Sequence, residues 1–362
     1  MDNIKIVNIN YNNFINRNYL EFGDEYDLIS FINNEIHTSL LQCPNNFDPT
    51  KTAMILALDG NTVVGRTLLY GTKIKIGNSF IYSQSMGSVE IYKKYRGKGI
   101  ASKMVDYMIN NDEYPFFLFS LISPSCYSIM RKCKDCIIFD FPEYIKIINT
   151  EAAFAIRGIK GTPLKILKNI GNFLVNILDI PNKIRIKKLK KIYNIKQESI
   201  VPEWAEEMCL NSKHKYAEYH DKEWLQWNLN NNLSGDKDDK QFFYSIYKEN
   251  TPVGFFITKE RRRYDITKCK MINGTICEWA SIDNNLNESD INLLALSTFH
   301  KNIYRVLSIT DNKNTERSLK LMGFIKVGYM QMGFKDKLKQ LNDINDIKHW
   351  RIRFGCCNSI LY

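Results

Sequence analysis

Apolar and polar positions along this chain change period several times, and each change marks an element. Residues 55–65 (ILALDGNTVVG) alternate as strand, tight turn, strand, and residues 244–254 (YSIYKENTPVG) repeat that form with a shared Asn-Thr-x-Val-Gly. More strand-like sequence follows each hairpin, at 79–83 and 88–91 in the first copy and at 274–282 in the second. Ile100, Met104, Val105, Met108 and Ile109 then fall on one helical stripe, while 291–299 form a second stripe followed by a strand-like 304–310. A helix ending at Gly323, a residue suited to a left-handed cap, precedes a last strand at 325–329. The pattern is a faint internal repeat, and it predicts two hairpin-rich modules.

Composition agrees with an ordinary globular chain of about two domains: 362 residues, 44% hydrophobic and 25% charged. No apolar run approaches the roughly 20 residues that cross a bilayer. The start Met-Asp-Asn-Ile-Lys has no signal-like stretch, so a cytoplasmic location is expected. Nine cysteines at irregular spacing, with only Cys133/Cys136 and Cys356/Cys357 close together, do not form a secreted disulfide framework. The five histidines are scattered, so no metal site is expected.

The net charge of +11 changes the picture. Much of it lies in residues 164–178 and 183–192, where Lys and Arg interleave with Ile and Leu, a pattern that suits either contact with an anionic membrane surface or a solvated connector helix. Pro163, Gly171 and Pro181 speak against one continuous helix there. A nucleic-acid partner is not expected, because no recognition motif accompanies the charge.

The richest local signal is residues 88–101, SVEIYKKYRGKGIA. A strand feeds a Gly- and Lys-rich turn that opens into the first helical stripe. Gly97 and Gly99 allow a tight turn with positive φ and close approach of an anion, the next helix aims free N–H groups at it, and Arg96 and Lys98 add mobile positive charge. The turn lacks the Gly-Lys-Ser/Thr ending of a Walker loop and the third glycine of a dinucleotide fingerprint.

Arg96, Gly99 and Ala101 form an Arg-x-x-Gly-x-Ala signature that resembles the acyl-CoA-binding motif of the Gcn5-related N-acetyltransferase (GNAT) family. The resemblance implies an α/β (α+β) fold of two GNAT-like mixed-sheet modules: an acyl-CoA-binding module at 1–150, a basic connector at 151–200, a degenerate module at 201–340 and a tail at 341–362. The second module has the glycine-free, acidic turn 284–290 where a cradle would stand, and is expected not to bind CoA. The layout is similar to bacterial tandem-GNAT proteins, some associated with surface-polysaccharide biosynthesis. Residues 123–127 (SPSCY) match an Asn-Pro-x-Ser-like segment of that group, and 220–228 (HDKEWLQWN) match Arg-Asp-x-x-Tyr-Leu-x-Trp-Arg with His220 and Asn228 in place of the arginines. Trp224, Leu225 and Trp227 could equally be core anchors of a helix.

The implied chemistry is attack of an amine on the acetyl-CoA thioester. The cofactor-binding set is Ile91, Tyr92, Arg96, Gly97, Lys98, Gly99, Ile100, Ala101 and Ser102, with a backbone N–H near Ile91 or Tyr92 as oxyanion donor. Glu90 is the candidate base, although strand alternation turns it away from Ile91 unless the strand bulges. Many family members place a Tyr, as proton donor to the thiolate, where this chain has Met130; Tyr127, one turn earlier, is the substitute, with packing as its other role. The expected function is an N-acetyltransferase acting on a small-molecule amine, favoured an amino sugar; a peptide, polyamine or drug amine, or a non-catalytic CoA-binding scaffold, are the other readings. Nothing in the sequence assigns a role to residues 354–362.

Overall fold

The computed structural model describes all residues except 1–3, 33–36, 47, 122–123, 213, 232–238, 265–269, 311, 340 and 356–362. The first half runs β1 (Ile4–Asn10), α1 (Tyr11–Ile15), α2 (His37–Leu41), then a meander of β2 (Thr52–Asp59), β3 (Thr62–Ile76) and β4 (Ser79–Ile91). It continues through α3 (Ile100–Asn110), β5 (Phe116–Leu121), α4 (Pro124–Met130) and β6 (Ile137–Ile147). Three helices, α5 (Glu151–Ala155), α6 (Gly161–Leu178) and α7 (Ile180–Ile192), lead to β7 (Asn194–Glu198). After α8 (Trp204–Leu210), β8 (Tyr216–Glu218) and α9 (Lys222–Asn230) comes a second meander, β9 (Lys240–Lys248), β10 (Thr251–Tyr264) and β11 (Lys270–Ser281). The chain closes with α10 (Glu288–Leu296), β12 (Arg305–Ile309), α11 (Lys313–Leu321), β13 (Ile325–Asp336) and β14 (Trp350–Arg351). Both predicted hairpins are present, and Gly323 (φ +84°) is the left-handed residue after the C-cap Met322 of α11.

The strands form one 14-stranded mixed sheet in the order β1-β2-β3-β4-β5-β13-β6-β12-β11-β10-β9-β7, with β8 and β14 attached beside β3. The two halves are interlaced rather than set side by side. Strand β13, late in the chain, pairs antiparallel with both β5 and β6, and β6 pairs antiparallel with β12. The α3 stripe packs on one face, where Ile100, Met104, Val105, Met108 and Ile109 are all buried against Ile55, Ala57 and Val64; each such burial contributes about 2 kcal/mol. On the opposite face both halves share a core, in which Met54, Leu56 and Leu58 of β2 meet Trp224, Leu225, Phe243 and Phe255. The segment 220–228 therefore supplies core anchors through α9.

Buried charges join the halves on that face. His220 Nδ1 lies 2.6 Å from the Glu278 carboxylate and its ring stacks on Trp224 at 3.6 Å. Arg353 Nε lies 2.6 Å from the other Glu278 oxygen, and Thr72 of β3 donates to Glu218 at 2.6 Å. Asp221 accepts from the Trp224 N–H at 2.8 Å, capping α9, and pairs with Lys73. Burial works against ionisation of Glu278, yet Arg353, His220 and Arg351 outweigh it and hold the carboxyl at about 2. Burial also opposes protonation of His220, but Glu278 and Glu218 prevail and raise its pKa.

Both shifted groups couple folding stability to pH. The depressed Glu278 pKa contributes stability that is present above about pH 4.5, its unfolded value, and is lost as pH falls toward 2. The raised His220 pKa contributes stability that is complete below 6.5 and is lost as pH climbs through the folded value. Glu278→Gln should lower the unfolding free energy by about 3 kcal/mol or more in urea denaturation near pH 6. The same variant should flatten the decline of stability above pH 6.5, since His220 then lacks its main anionic partner.

Candidate functional site

Strand β4 organises the candidate site through one extra residue. Leu68 pairs with Gly87 but Arg66 pairs with Glu90, so Ser88 and Val89 together oppose a single residue of β3 and form a β-bulge. Ser88 has φ +48°, unusual for a residue with a Cβ. The buried Arg66 holds this geometry: its Nη1 donates to the Ser88 carbonyl and hydroxyl, both at 2.9 Å, and its Nη2 meets the Glu90 carboxylate at 3.0 Å.

On its other edge β4 pairs with β5 only at Gln84–Phe117 and Ser85–Leu118, and beyond these pairs the two parallel strands part. The Tyr92 N–H donates to the Val64 carbonyl at 2.9 Å, so it is spent within the sheet. Because N–H groups alternate sides along an antiparallel ladder, the Ile91 N–H is aimed the other way, into the gap between β4 and β5. Of the two expected oxyanion donors the geometry keeps Ile91 and removes Tyr92, whose ring instead stacks on Tyr26 at 3.7 Å.

Beyond β4 a single helical turn, Lys93–Tyr95, leads to Gly97 (φ +77°) and Gly99 (φ +76°). A Cβ on either glycine would meet no protein atom within 4 Å, so the space above the turn is open as well as the backbone being left-handed. Gly99 is the N-cap of α3 and makes no side-chain cap; the Lys103 N–H bonds the Gly99 carbonyl at 3.1 Å. Helix geometry then leaves the N–H groups of Ile100, Ala101 and Ser102 without an intrahelical acceptor. The first turn holds no acidic residue, and Lys93, Lys94, Lys98 and Lys103 are exposed around it. An anion placed there meets donors, dipole and positive charge together.

Arg96 departs from the expected mobile charge. Its Nε donates to the Ile91 carbonyl at 2.8 Å, tying the turn to the end of β4. Lys98 rests 4.8 Å from the Tyr95 ring, whose hydroxyl donates to Asp59 at 2.8 Å.

The two acid–base candidates lie on different faces. Glu90 pairs with Arg66 opposite the α3 face, while Ile91, opposite Gly65, packs its side chain on the α3 face. The bulge precedes both residues and does not bring their side chains together. Tyr127 of α4 is partly buried against the α3 core, and Met130 beside it is fully buried; Ser123 of the matched segment lies outside the described residues. Glu90 and Tyr127 thus lie on opposite faces of the sheet. Arg66 escapes a sequence reading, although an arginine in the otherwise apolar 63–70 run (VVGRTLLY) was its available signal.

The second half keeps the frame and closes the helix end. Strands β11 and β12 pair at Asn273, Gly274 and Thr275 only, and β11 has its own register shift between Glu278 and Ile276. At the start of α10, however, the Asn287 side chain accepts the Asp290 N–H, Glu288 accepts from Thr315 at 3.0 Å, and Asp290 lies 3.6 Å from Arg185 of α7. Acidic side chains occupy the place that α3 leaves open.

Two surface grooves of about 520 and 550 Å³ lie away from the cradle, one around Arg262 and His300 and one along α7; no cradle residue lines either. The cradle, unlike these grooves, combines free N–H donors, a helix dipole and room for an anion. Among the described residues no group of three or more His, Cys, Asp or Glu side chains could hold a metal ion.

No known protein family and no curated protein sequence matches the chain. Solved structures do. Saccharomyces cerevisiae N-myristoyltransferase with bound myristoyl-CoA is similar with a TM-score of 0.55 at 11% identity, over 93% of this chain and 79% of that one. A probable N-acyltransferase of Enterococcus faecalis gives 0.52 at 12% identity, over 92% and 73%. A GCN5-related N-acetyltransferase of Anabaena variabilis gives 0.50 at 10% identity, over 91% and 72%. What the chain shares with these proteins is the mixed-sheet fold of GNAT-type N-acyltransferases, along nearly its whole length.

Proposed function

We propose that the protein is an acyl-CoA-dependent N-acyltransferase whose donor site is the cradle of the first half, with acetyl-CoA as donor. The observation that carries this reading is the open, uncapped start of α3 lying next to the parting of β4 and β5. The N–H groups of Ile100, Ala101 and Ser102 take the pyrophosphate above Gly97 and Gly99, with Lys98 and Lys103 neutralising its charge. Arg96 serves by fixing the turn to Ile91. The Ile91 N–H receives the thioester carbonyl oxygen as negative charge develops there. Glu90 takes the ammonium proton directly or through water, the freed amine nitrogen bonds to the carbonyl carbon, the C–S bond breaks as Tyr127 protonates the departing thiolate, and the proton the nitrogen sheds on becoming an amide returns to Tyr127.

The acceptor is a small-molecule amine. The resemblance to tandem-GNAT proteins makes an amino sugar the first to try, beside peptide and polyamine amines. Gly99→Glu introduces a side chain in left-handed backbone and a negative charge at the anion site. It should weaken acetyl-CoA binding by about 100-fold or more in calorimetric titration; wild type that fails to bind acetyl-CoA would refute the reading. With an amine panel and thiol release as readout, Tyr127→Phe should lower kcat while leaving the dissociation constant of acetyl-CoA unchanged. Glu90→Gln should lower kcat by about 100-fold, and unchanged turnover in either variant removes that residue from the mechanism.

A further inference from the structure

Helix α6 meets the protein through a mixed side, where Leu164, Leu167 and Val175 are half-buried beside polar residues. The face turned toward the protein carries Lys168, Gly171 and Asn172: the Thr150 N–H and hydroxyl both bond the Asn172 side-chain oxygen, at 2.8 and 2.9 Å, and Lys168 pairs with Glu151. Gly171 is what lets Thr150 approach, since a Cβ there would stand 2.6 Å from its hydroxyl oxygen. That contact also explains why Gly171 does not break the helix, while Pro181 falls in the first turn of α7, where proline is tolerated.

The apolar stripe is left outward. Ile166, Ile170, Phe173, Leu174 and Ile177 follow the 3.6-residue period on one face, and none is buried; Phe173 is 64% exposed. The row continues past the helix end through Leu178, 78% exposed, to Ile180 and Ile184 of α7. From there the same face of α7 turns basic, because Lys187, Lys188 and Lys191 succeed Ile180 and Ile184 at helical spacing and are exposed. Between 160 and 192 the chain holds nine Lys and Arg residues against the single acid Asp179. Apolar side chains set beside a dense positive row complement a surface that is apolar just below an anionic layer. Among the described residues no helix is long and apolar enough to cross a membrane, so α6 is suited to lie in an interface.

We propose that the outward face of α6, continued by the lysine row of α7, is a docking surface for an anionic lipid bilayer. Its placement has a consequence for the candidate site. Strands β4 and β5 run parallel and β13 is antiparallel to both β5 and β6, so the C-terminal ends of β4, β5 and β6 point to one edge of the sheet. The cradle follows β4, and α6 follows β6 by way of α5, so both leave the sheet at that edge. Docking holds the cradle edge of the sheet close to the lipid surface.

The test is flotation of the full chain with vesicles of phosphatidylcholine mixed with phosphatidylglycerol, and of phosphatidylcholine alone, at physiological salt. The docking surface requires recovery with the mixed vesicles at least about tenfold above the neutral ones, and a comparable loss for Phe173→Glu and for the pair Lys187→Glu and Lys188→Glu. These positions are exposed, so the variants should fold, and an unchanged melting temperature checks it. Absence of wild type from the mixed vesicles, equal recovery with neutral vesicles, or variants that float as well as wild type would overturn the proposal. So would a dimer in solution that Phe173→Glu dissociates without vesicle binding, because the face then belongs to a second copy. Acetyl-CoA titration of the same proteins is an independent readout, since lipid docking does not depend on the donor site.

Discussion

A strand inside a protein has two edges of N–H and C=O groups, and each group that water cannot reach must find a partner. Where β4 and β5 part, β5 loses its pairing on one side, and the opposite side has to be secured by another strand. That strand is β13, which arrives from the far end of the chain, and β6 is secured by β13 and β12. The opening at the candidate site and the interlacing of the two halves are therefore one structural solution. Taking the second half away would expose the edges of β5 and β6 and strip the shared core of Trp224, Phe243 and Phe255.

The opening also rests on local strain. Ser88 holds a left-handed conformation that a residue with a Cβ adopts at a cost, and the bonds from Arg66 to its carbonyl and hydroxyl offset that cost. The bulge follows the last β4–β5 pair, and beyond it the Ile91 N–H is aimed into the space between the strands. The second half carries a bulge and a parting of its own, but Asn287, Glu288 and Asp290 fill the helix start. The two helix starts thus differ in electrostatics, positive and open in α3, capped and acidic in α10.

Charge is handled in opposite ways at the two extremes of burial. Glu278, His220 and Arg353 are enclosed between strands and compensate one another where water is excluded. Helix α6 instead uses Lys168 and Asn172 as its attachment and leaves its apolar stripe outside. The first arrangement holds the second half together, with Lys73–Asp221 and Thr72–Glu218 reaching across to the first half, and the second leaves a surface that water solvates poorly.

Much of the local structure was legible in the sequence because it depends on neighbours along the chain. The hairpins at 55–65 and 244–254, the buried stripe from Ile100 to Ile109, the Gly97–Gly99 turn and the contrast with the acidic 284–290 turn all arise within a few residues, through period, φ preference and charge. The strand exchange was not legible. It pairs segments as distant as Phe116 and Asp336 through backbone groups that every residue carries. The same limit hid the loss of the Tyr92 N–H to β3 and the work of Arg66 on Ser88, while the anchoring of Arg96 on Ile91, though local, depends on a side-chain direction that the sequence does not state. It hid the direction of α6 as well, since a 3.6-residue stripe states that a helix has an apolar side, while only packing decides whether that side faces a core or water. By itself the sequence determined which elements form and where an anion can be cradled; the tertiary structure decided which edges pair, which donor faces the gap and which faces stay uncovered, because those outcomes depend on contacts between parts of the chain that no local pattern encodes.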